Sequence, residues 1–321
     1  MTGWMLVGLL LFGIGFAGAI IPGTQFGPTA QRASVALGDS RPATTFSPLI
    51  ALRGLPVDEV VHERTIAYRA ADGSPLAMRL FTGAAGGARP TVVVIYGGGW
   101  RFGEPSQSAN VSRALAARGY TVAAIDYRHA PRARFPAQID DVRLSLAMLR
   151  DSAAAWAIDP SRIALLGRSS GGHLAELAAF SPGAVPVRAV IAIYAPYDLV
   201  AGYRDLPNPD PIGVPAVLRD LLGGSPDARP EQYHAASPSS FVRAGLPPTL
   251  LIYGSRDHIV KAAFNRRAAA ELRAAHVPTV EVEIPWAEHG FDMVPGGLGA
   301  QIAFTTTVRF LDRWIGAARG R

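Results

Sequence analysis

Residues 162–172 read RIALLGRSSGG, and the reading of this stretch decides the fold. Arg162–Leu166 is a short apolar run with the character of a buried strand. Gly167-Arg168-Ser169-Ser170-Gly171 follows as a G-x-S-x-G turn, and Gly171–Phe180 continues as an apolar helix. A serine on so tight a strand-to-helix turn needs minimal residues two places before and two places after it, because larger side chains there would collide. The same requirement chooses between the two serines. Ser170 at the centre would need glycine at 168, where the chain has Arg168. Ser169 is therefore the expected nucleophile, exposed at the end of a strand with a helix N-terminus aimed at it.

Outward from this turn the pattern repeats. Thr91–Tyr96, Thr121–Asp126, Val187–Tyr194, Thr249–Tyr253 and Val280–Ile284 are short apolar runs. Helical stretches alternate with them, over Gln107–Arg118, through Ile139, Val142, Leu146 and Leu149, through Phe264, Ala268 and Leu272, and from Phe304 to Ile315. Apolar strands alternating with amphipathic helices predict an α/β fold, with a mostly parallel sheet covered by helices on both faces. Val60–Ala70 and Leu76–Phe81 add a hairpin turning at Asp72-Gly73. Pro196–Leu246 interrupts the alternation. It is rich in Pro, Gly and Asp, has one helical piece near Val214–Leu222, and reads as a small cap inserted over the carboxyl edge of the sheet.

In a parallel sheet the loops at the carboxyl ends of the strands build the site. A serine hydroxyl needs a base, and the base needs an acid to orient it. On such an elbow the acid and then the histidine follow later in the chain. Asp257 comes just after Thr249–Tyr253, and His289 just after Val280–Ile284, so both fall at the edge that carries Ser169. Asp198 is the rival acid. His258, His173, His129, His62, His234 and His276 are read as surface or packing histidines. Gly97-Gly98-Gly99-Trp100 follows the strand Thr91–Tyr96. Glycines there let backbone N–H groups approach a tetrahedral intermediate, so Gly98, Gly99 and the N–H of Ser170 are the expected oxyanion-hole donors.

At these residues the chain resembles the hormone-sensitive-lipase-like and BD-FAE-like carboxylesterases of the α/β-hydrolase superfamily. The resemblance runs from about Val60 to the C-terminus. It rests on Tyr96-Gly97-Gly98-Gly99-Trp100, Asp126-Tyr127-Arg128-His129-Ala130-Pro131, Phe135-Pro136-Ala137 with Asp140-Asp141-Val142, Gly167–Gly172, Pro247-Pro248, Asp257 and His289-Gly290-Phe291. It implies an α/β-hydrolase fold, a small-molecule ester substrate, a Ser-His-Asp triad working through an acyl-enzyme, and no metal or organic cofactor. Arylformamidases share much of the pattern, so an amidase, peptidase or formamidase of the same fold is the alternative. The family usually has histidine at Tyr96, a residue thought to brace the glycine loop. Tyr96 in its place is the only support for a further alternative, a catalytically inactive membrane-tethered binding protein. Arg128 and Asp141 resemble structural residues of the family, and they read as an arginine–carboxylate brace behind that loop rather than as catalysts.

Composition narrows the rest. The chain has 321 residues, 49% of them hydrophobic and 17% charged, which suits a large buried core and argues against disorder. The formal net charge is +6, carried almost wholly by scattered arginines, with Lys261 the only lysine. No basic run with interleaved aromatics is present, so nucleic acid is not an expected partner. The lack of cysteine excludes a disulfide framework, a thiolate nucleophile and a cysteine-ligated metal. Trp4–Ile21 is an uninterrupted uncharged stretch, WMLVGLLLFGIGFAGAII, just long enough to span a bilayer. Three readings stand: a single-pass membrane anchor, a cleaved signal with small residues at Ala17-Gly18-Ala19 that would make the chain secreted or periplasmic, or a helix buried in the protein. Arg32, Arg41 and Arg53 follow the stretch, and for an anchor they would keep the catalytic domain cytoplasmic. Residues 22–59 read as a linker, and 60–321 as the catalytic domain.

Overall fold

The computed structural model describes residues 22–57, 59–83 and 87–316. Trp4–Ile21, and with it the choice between anchor, signal and buried helix, lies outside the described residues. Among the described residues no helix is long and apolar enough to cross a membrane.

Strands β1 (Val61–Arg69), β2 (Pro75–Gly83), β3 (Arg89–Ile95), β4 (Thr121–Ile125), β5 (Ile158–Arg168), β6 (Ala189–Ile193), β7 (Thr249–Gly254) and β8 (Thr279–Ile284) form one sheet. Their order is β1-β2-β4-β3-β5-β6-β7-β8. The β1–β2 and β2–β4 pairs are antiparallel, and every pair from β4–β3 to β7–β8 is parallel. This is the expected α/β-hydrolase fold.

Both faces of the sheet are covered because its central strands are apolar on both sides. Alternate residues point to opposite faces. In β3, Val93 and Ile95 join one core while Val92 and Val94 join the other. In β5, Ile163 and Leu165 divide from Ala164 and Leu166 in the same way. Helices α4 (Ala137–Asp151), α5 (Ser170–Phe180) and α9 (Ala262–Ala274) cover the first face. Helices α3 (Ala109–Ala116) and α10 (Leu298–Trp314) cover the second.

Two stretches differ from expectation. Residues 22–37 are helical (α1) rather than a loose linker. Phe26, Ala30, Ala33 and Leu37 are buried in the second core. Their spacing is helical, and the surrounding Pro and Gly obscured it. Beyond α1 the chain is strapped to α10. Arg309 donates to Ser34, Arg41 donates to Asp312, and Ser47 and Gln301 exchange hydrogen bonds of 2.9 and 3.0 Å. A short helix, α2 (Pro48–Arg53), follows, capped by the Ser47 hydroxyl.

The second difference is in the inserted segment after β6. It holds three α-helices, α6 (Leu199–Arg204), α7 (Val214–Leu222) and α8 (Pro230–Ala236), and a 3-10 turn at Pro238–Phe241, where one helix was expected. The two unforeseen helices are too short to show apolar periodicity. Asp198 caps the first and proline opens the second, and these end signals define them.

Candidate active site

The elbow is built by backbone sterics. Ser169 has φ +50° and ψ −124°, and α5 begins at the next residue. A Cβ on Gly171 would lie 2.3 Å from the carbonyl oxygens of both Ile95 and Tyr96, and one on Gly167 would lie 2.1 Å from the Gly171 oxygen. No side chain fits at either place. The Ser169 N–H donates to Ile193 O at 2.9 Å, which ties the strained turn to β6.

Three strand ends bring the expected residues together. His289 Nε2 lies 2.9 Å from Ser169 Oγ, and His289 Nδ1 lies 2.8 Å from Asp257 Oδ2. The other Asp257 oxygen accepts the backbone N–H groups of Ile259 and Val260, each at 2.8 Å. Both carboxylate oxygens of this buried side chain are thus used, and they fix the imidazole with its proton on Nδ1 and a lone pair facing the serine.

The glycine loop adjoins the elbow because β3 pairs with β5. Gly98 has φ +137°, and a Cβ there would lie 1.9 Å from Phe102 O. The loop closes on itself, with the Arg101 and Phe102 N–H groups both donating to Gly98 O. The backbone N–H groups of Gly98, Gly99 and Ser170 have no hydrogen-bond partner among the described residues. Trp100, also at positive φ, is held from two sides. Its carbonyl accepts from Ala130 N, and its Nε1–H donates to His173 Nδ1 at 3.2 Å.

His173 is buried, as expected of a packing histidine. It also links the loop to the inserted segment. With Nδ1 accepting from Trp100, Nε2 carries the proton and donates to Ala236 O at 2.6 Å. Burial lowers its pKa to about 4, so it is neutral in ordinary buffers.

Tyr96 does not brace the glycine loop as a histidine there was expected to. Its hydroxyl donates to Asp126 Oδ1 at 2.6 Å and lies 2.9 Å from His129 Nε2. Its ring stacks on Tyr127 with centroids 4.5 Å apart. Burial, with Tyr127 and Asp126 adding to it, pushes its pKa up, so it stays a donor. The longer side chain therefore secures the loop after β4. Arg128 and Asp141 pair through two short contacts of 2.8 Å, the expected brace, with Asp72 on the outer side of the guanidinium.

The rivals lie elsewhere. Asp198 caps α6 and meets Arg267. His258 is half exposed and paired with Glu288, whose hydrogen bond raises its pKa. His62 lies in β1, His234 in α8, and His276 between α9 and β8.

Sequence reading missed three polar residues beside Ser169. Arg168 donates through Nε to Asp292, and the Tyr194 hydroxyl donates to the other Asp292 oxygen. The Tyr194 ring packs on His289 at 4.5 Å. Burial pulls the Arg168 pKa down, but the Asp292 charge outweighs it. Tyr194 is at positive φ, as are Ser169 and Trp100, so among the described residues three of the five non-glycine residues in that region line the site. Strain of this kind costs roughly 1–3 kcal/mol each and collects where function demands it. The only sequence signal was the position of Arg168 inside the elbow and of Asp292 just after His289.

Two cavities meet at Ser169. One, of about 490 Å³, is lined by Arg168, Tyr194, His289, Asp292, Phe304 and the glycine loop. The other, of about 50 Å³, lies under the inserted segment and is lined by Trp100, Tyr197, Leu199, Val214 and Val217.

Known proteins resemble this arrangement. Esterase LipQ of Mycobacterium tuberculosis is 30% identical over 74% of this chain and 58% of its own length. Esterase LipC of the same organism is 33% identical over 64% of this chain and 54% of its own. The chain thus spans little more than half the length of these curated relatives. Among solved structures, a bacterial heroin esterase superimposes with a TM-score of 0.70 at 27% identity, covering 81% of this chain and 86% of that one. The BD-FAE family model matches residues 80–272, from β2 through the glycine loop, the elbow and Asp257 into α9. The chain belongs to the BD-FAE family, within the α/β-hydrolases.

Proposed function

We propose that the protein is a carboxylic ester hydrolase in which Ser169, His289 and Asp257 form the catalytic triad. The observation that carries this reading is His289 bridging Ser169 Oγ and a fully hydrogen-bonded Asp257. The esterase names of the similar proteins support ester as the substrate.

In the first step Ser169 Oγ bonds to the ester carbonyl carbon while its proton passes to His289 Nε2. The oxyanion is received by the N–H groups of Gly98, Gly99 and Ser170, each such donor contributing roughly 3 kcal/mol to transition-state stabilisation. The tetrahedral intermediate collapses by breaking the bond to the alcohol oxygen, which takes the proton from His289. Water then attacks the acyl-enzyme by the same route and returns the proton to Ser169. Asp257 stays ionised and stabilises the imidazolium.

The test is Ser169→Ala assayed on a short p-nitrophenyl ester, together with labelling by a fluorophosphonate. Labelling of the parent chain and none of the variant supports the assignment. Undiminished hydrolysis by the variant overturns it. We further propose that Trp4–Ile21 tethers the chain to a membrane. Cell fractionation with and without residues 1–21 tests this, and an unchanged soluble fraction overturns it.

A further inference from the structure

The larger cavity contains an arginine that its own protein leaves mostly unused. A guanidinium has five N–H donors. Among the described residues, Arg168 spends one, through Nε, on Asp292, and its Nη1 and Nη2 atoms have no hydrogen-bond partner. The side chain is only 15% exposed, and Arg168 lines the cavity shared with Ser169 and His289. Asp292 is occupied by Arg168 and Tyr194 and is 5% exposed, so it holds the guanidinium in place. Arg101, the other arginine lining this cavity, is paired with Asp220. The outer Nη1–Nη2 edge of a fixed guanidinium matches the two oxygens of a carboxylate.

The position of His289 says which half of an ester meets this arginine. The leaving alcohol oxygen must take a proton from His289. His289 lines the larger cavity and not the smaller one. The alcohol half therefore lies on the Arg168 side, and the acyl half enters the pocket under the inserted segment. That pocket is about 50 Å³. Since a cavity of about 150 Å³ holds benzene, it has room for about two carbon atoms.

The geometry points to Arg168 as a specificity residue that binds a carboxylate on the alcohol half, which makes the substrate a hydroxy acid carrying a short acyl group on its hydroxyl. This inference rests on the hydrolase reading above. Hydrolysis would release a short carboxylic acid and the free hydroxy acid.

The experiment compares kcat/KM for acetate esters of straight-chain ω-hydroxy acids with that for acetates of the matching alkanols, across chain lengths. A third series, the same hydroxy acids as their methyl esters, offers a neutral carbonyl in place of the carboxylate. At the best length the carboxylate series is expected to exceed the alkanol series by about tenfold, the scale of a charge-assisted hydrogen-bonded pair. Arg168→Gln is expected to bring the ratio near one. Asp292→Asn, which keeps the arginine and removes its competing charge, is expected to raise the ratio, and it serves if Arg168→Gln does not fold. A ratio near one in the parent protein overturns the inference. So does a ratio that survives Arg168→Gln because both series fall together, the mark of a purely structural arginine. A methyl-ester series equal to the carboxylate series overturns the charge assignment. Absence of turnover on every ester would overturn the hydrolase reading itself.

Discussion

Two strand-end turns meet at Ser169, and they are held in shape by different forces. The elbow after β5 is enforced by backbone contacts, since a Cβ at Gly167 or Gly171 would overlap neighbouring carbonyls. The glycine loop after β3 is close-packed at Gly98, but its far end is positioned by side chains. Trp100 hangs on His173, and His173 hangs on Ala236 of the inserted segment. A turn fixed by backbone sterics fails all at once when its glycines change. A loop fixed through a histidine can lose alignment while the fold persists. The inserted segment is therefore mechanically connected to the glycine loop through Trp100 and His173.

Substitutions can break or sharpen this contrast. The largest effect is expected from Ser169→Ala, which should lower kcat by about 10⁴-fold or more with the melting temperature nearly unchanged. Gly171→Ala should destabilise the fold by more than about 3 kcal/mol, because the clash is with the backbone carbonyls of Ile95 and Tyr96, which cannot swing away as a side chain could; urea denaturation reads it. A well-folded, active Gly171→Ala protein would remove the steric account of the elbow.

Acid should act next, through His173. Its pKa is about 4 in the fold against 6.5 for an unperturbed histidine. The unfolded chain therefore binds the extra proton first as pH falls. The stability that the neutral buried ring contributes is complete above about pH 6.5 and is lost progressively down to about pH 4. The loss amounts to about 3 kcal/mol. Denaturation midpoints measured between pH 7.5 and 4.5, with and without His173→Leu, check the slope, and equal slopes would remove His173 as its source.

His173→Leu should also lower kcat by about tenfold with little change in KM, since Trp100 and the loop behind it lose their hold while the triad stays intact. The smallest effect is expected from Tyr96→Phe. Its hydroxyl serves Asp126 and His129, not the glycine loop, so kcat should change less than about threefold and stability by about 1 kcal/mol. A large fall in kcat would return Tyr96 to the bracing role that the family histidine suggested.

Much of the site was legible because its chemistry is local in sequence. Ser169 is marked by glycines two places away on either side, and Asp257 and His289 each follow an apolar strand. Strand direction and order then bring them to one edge whatever their separation along the chain. The stretch 22–37 was harder. The spacing of Phe26, Ala30, Ala33 and Leu37 is helical, but the α10 surface that makes it worth burying lies far along the chain. Helices α6 and α8 are too short for a period, and only their caps and their seat over the sheet define them.

By itself the sequence determined the alternation of strands and helices, and it singled out Ser169, Asp257 and His289 as the residues that would meet at one edge. These follow from side-chain size, apolar periodicity and chain order, which are properties of neighbours. Only the tertiary structure decided that Tyr96 turns to Asp126, that His173 ties Trp100 to the inserted segment, and that the outer donors of Arg168 meet no acceptor among the described residues. Each of these depends on which polar atom meets which across the fold. A buried hydrogen bond is directional and short, so its partner is settled by packing and not by spacing along the chain.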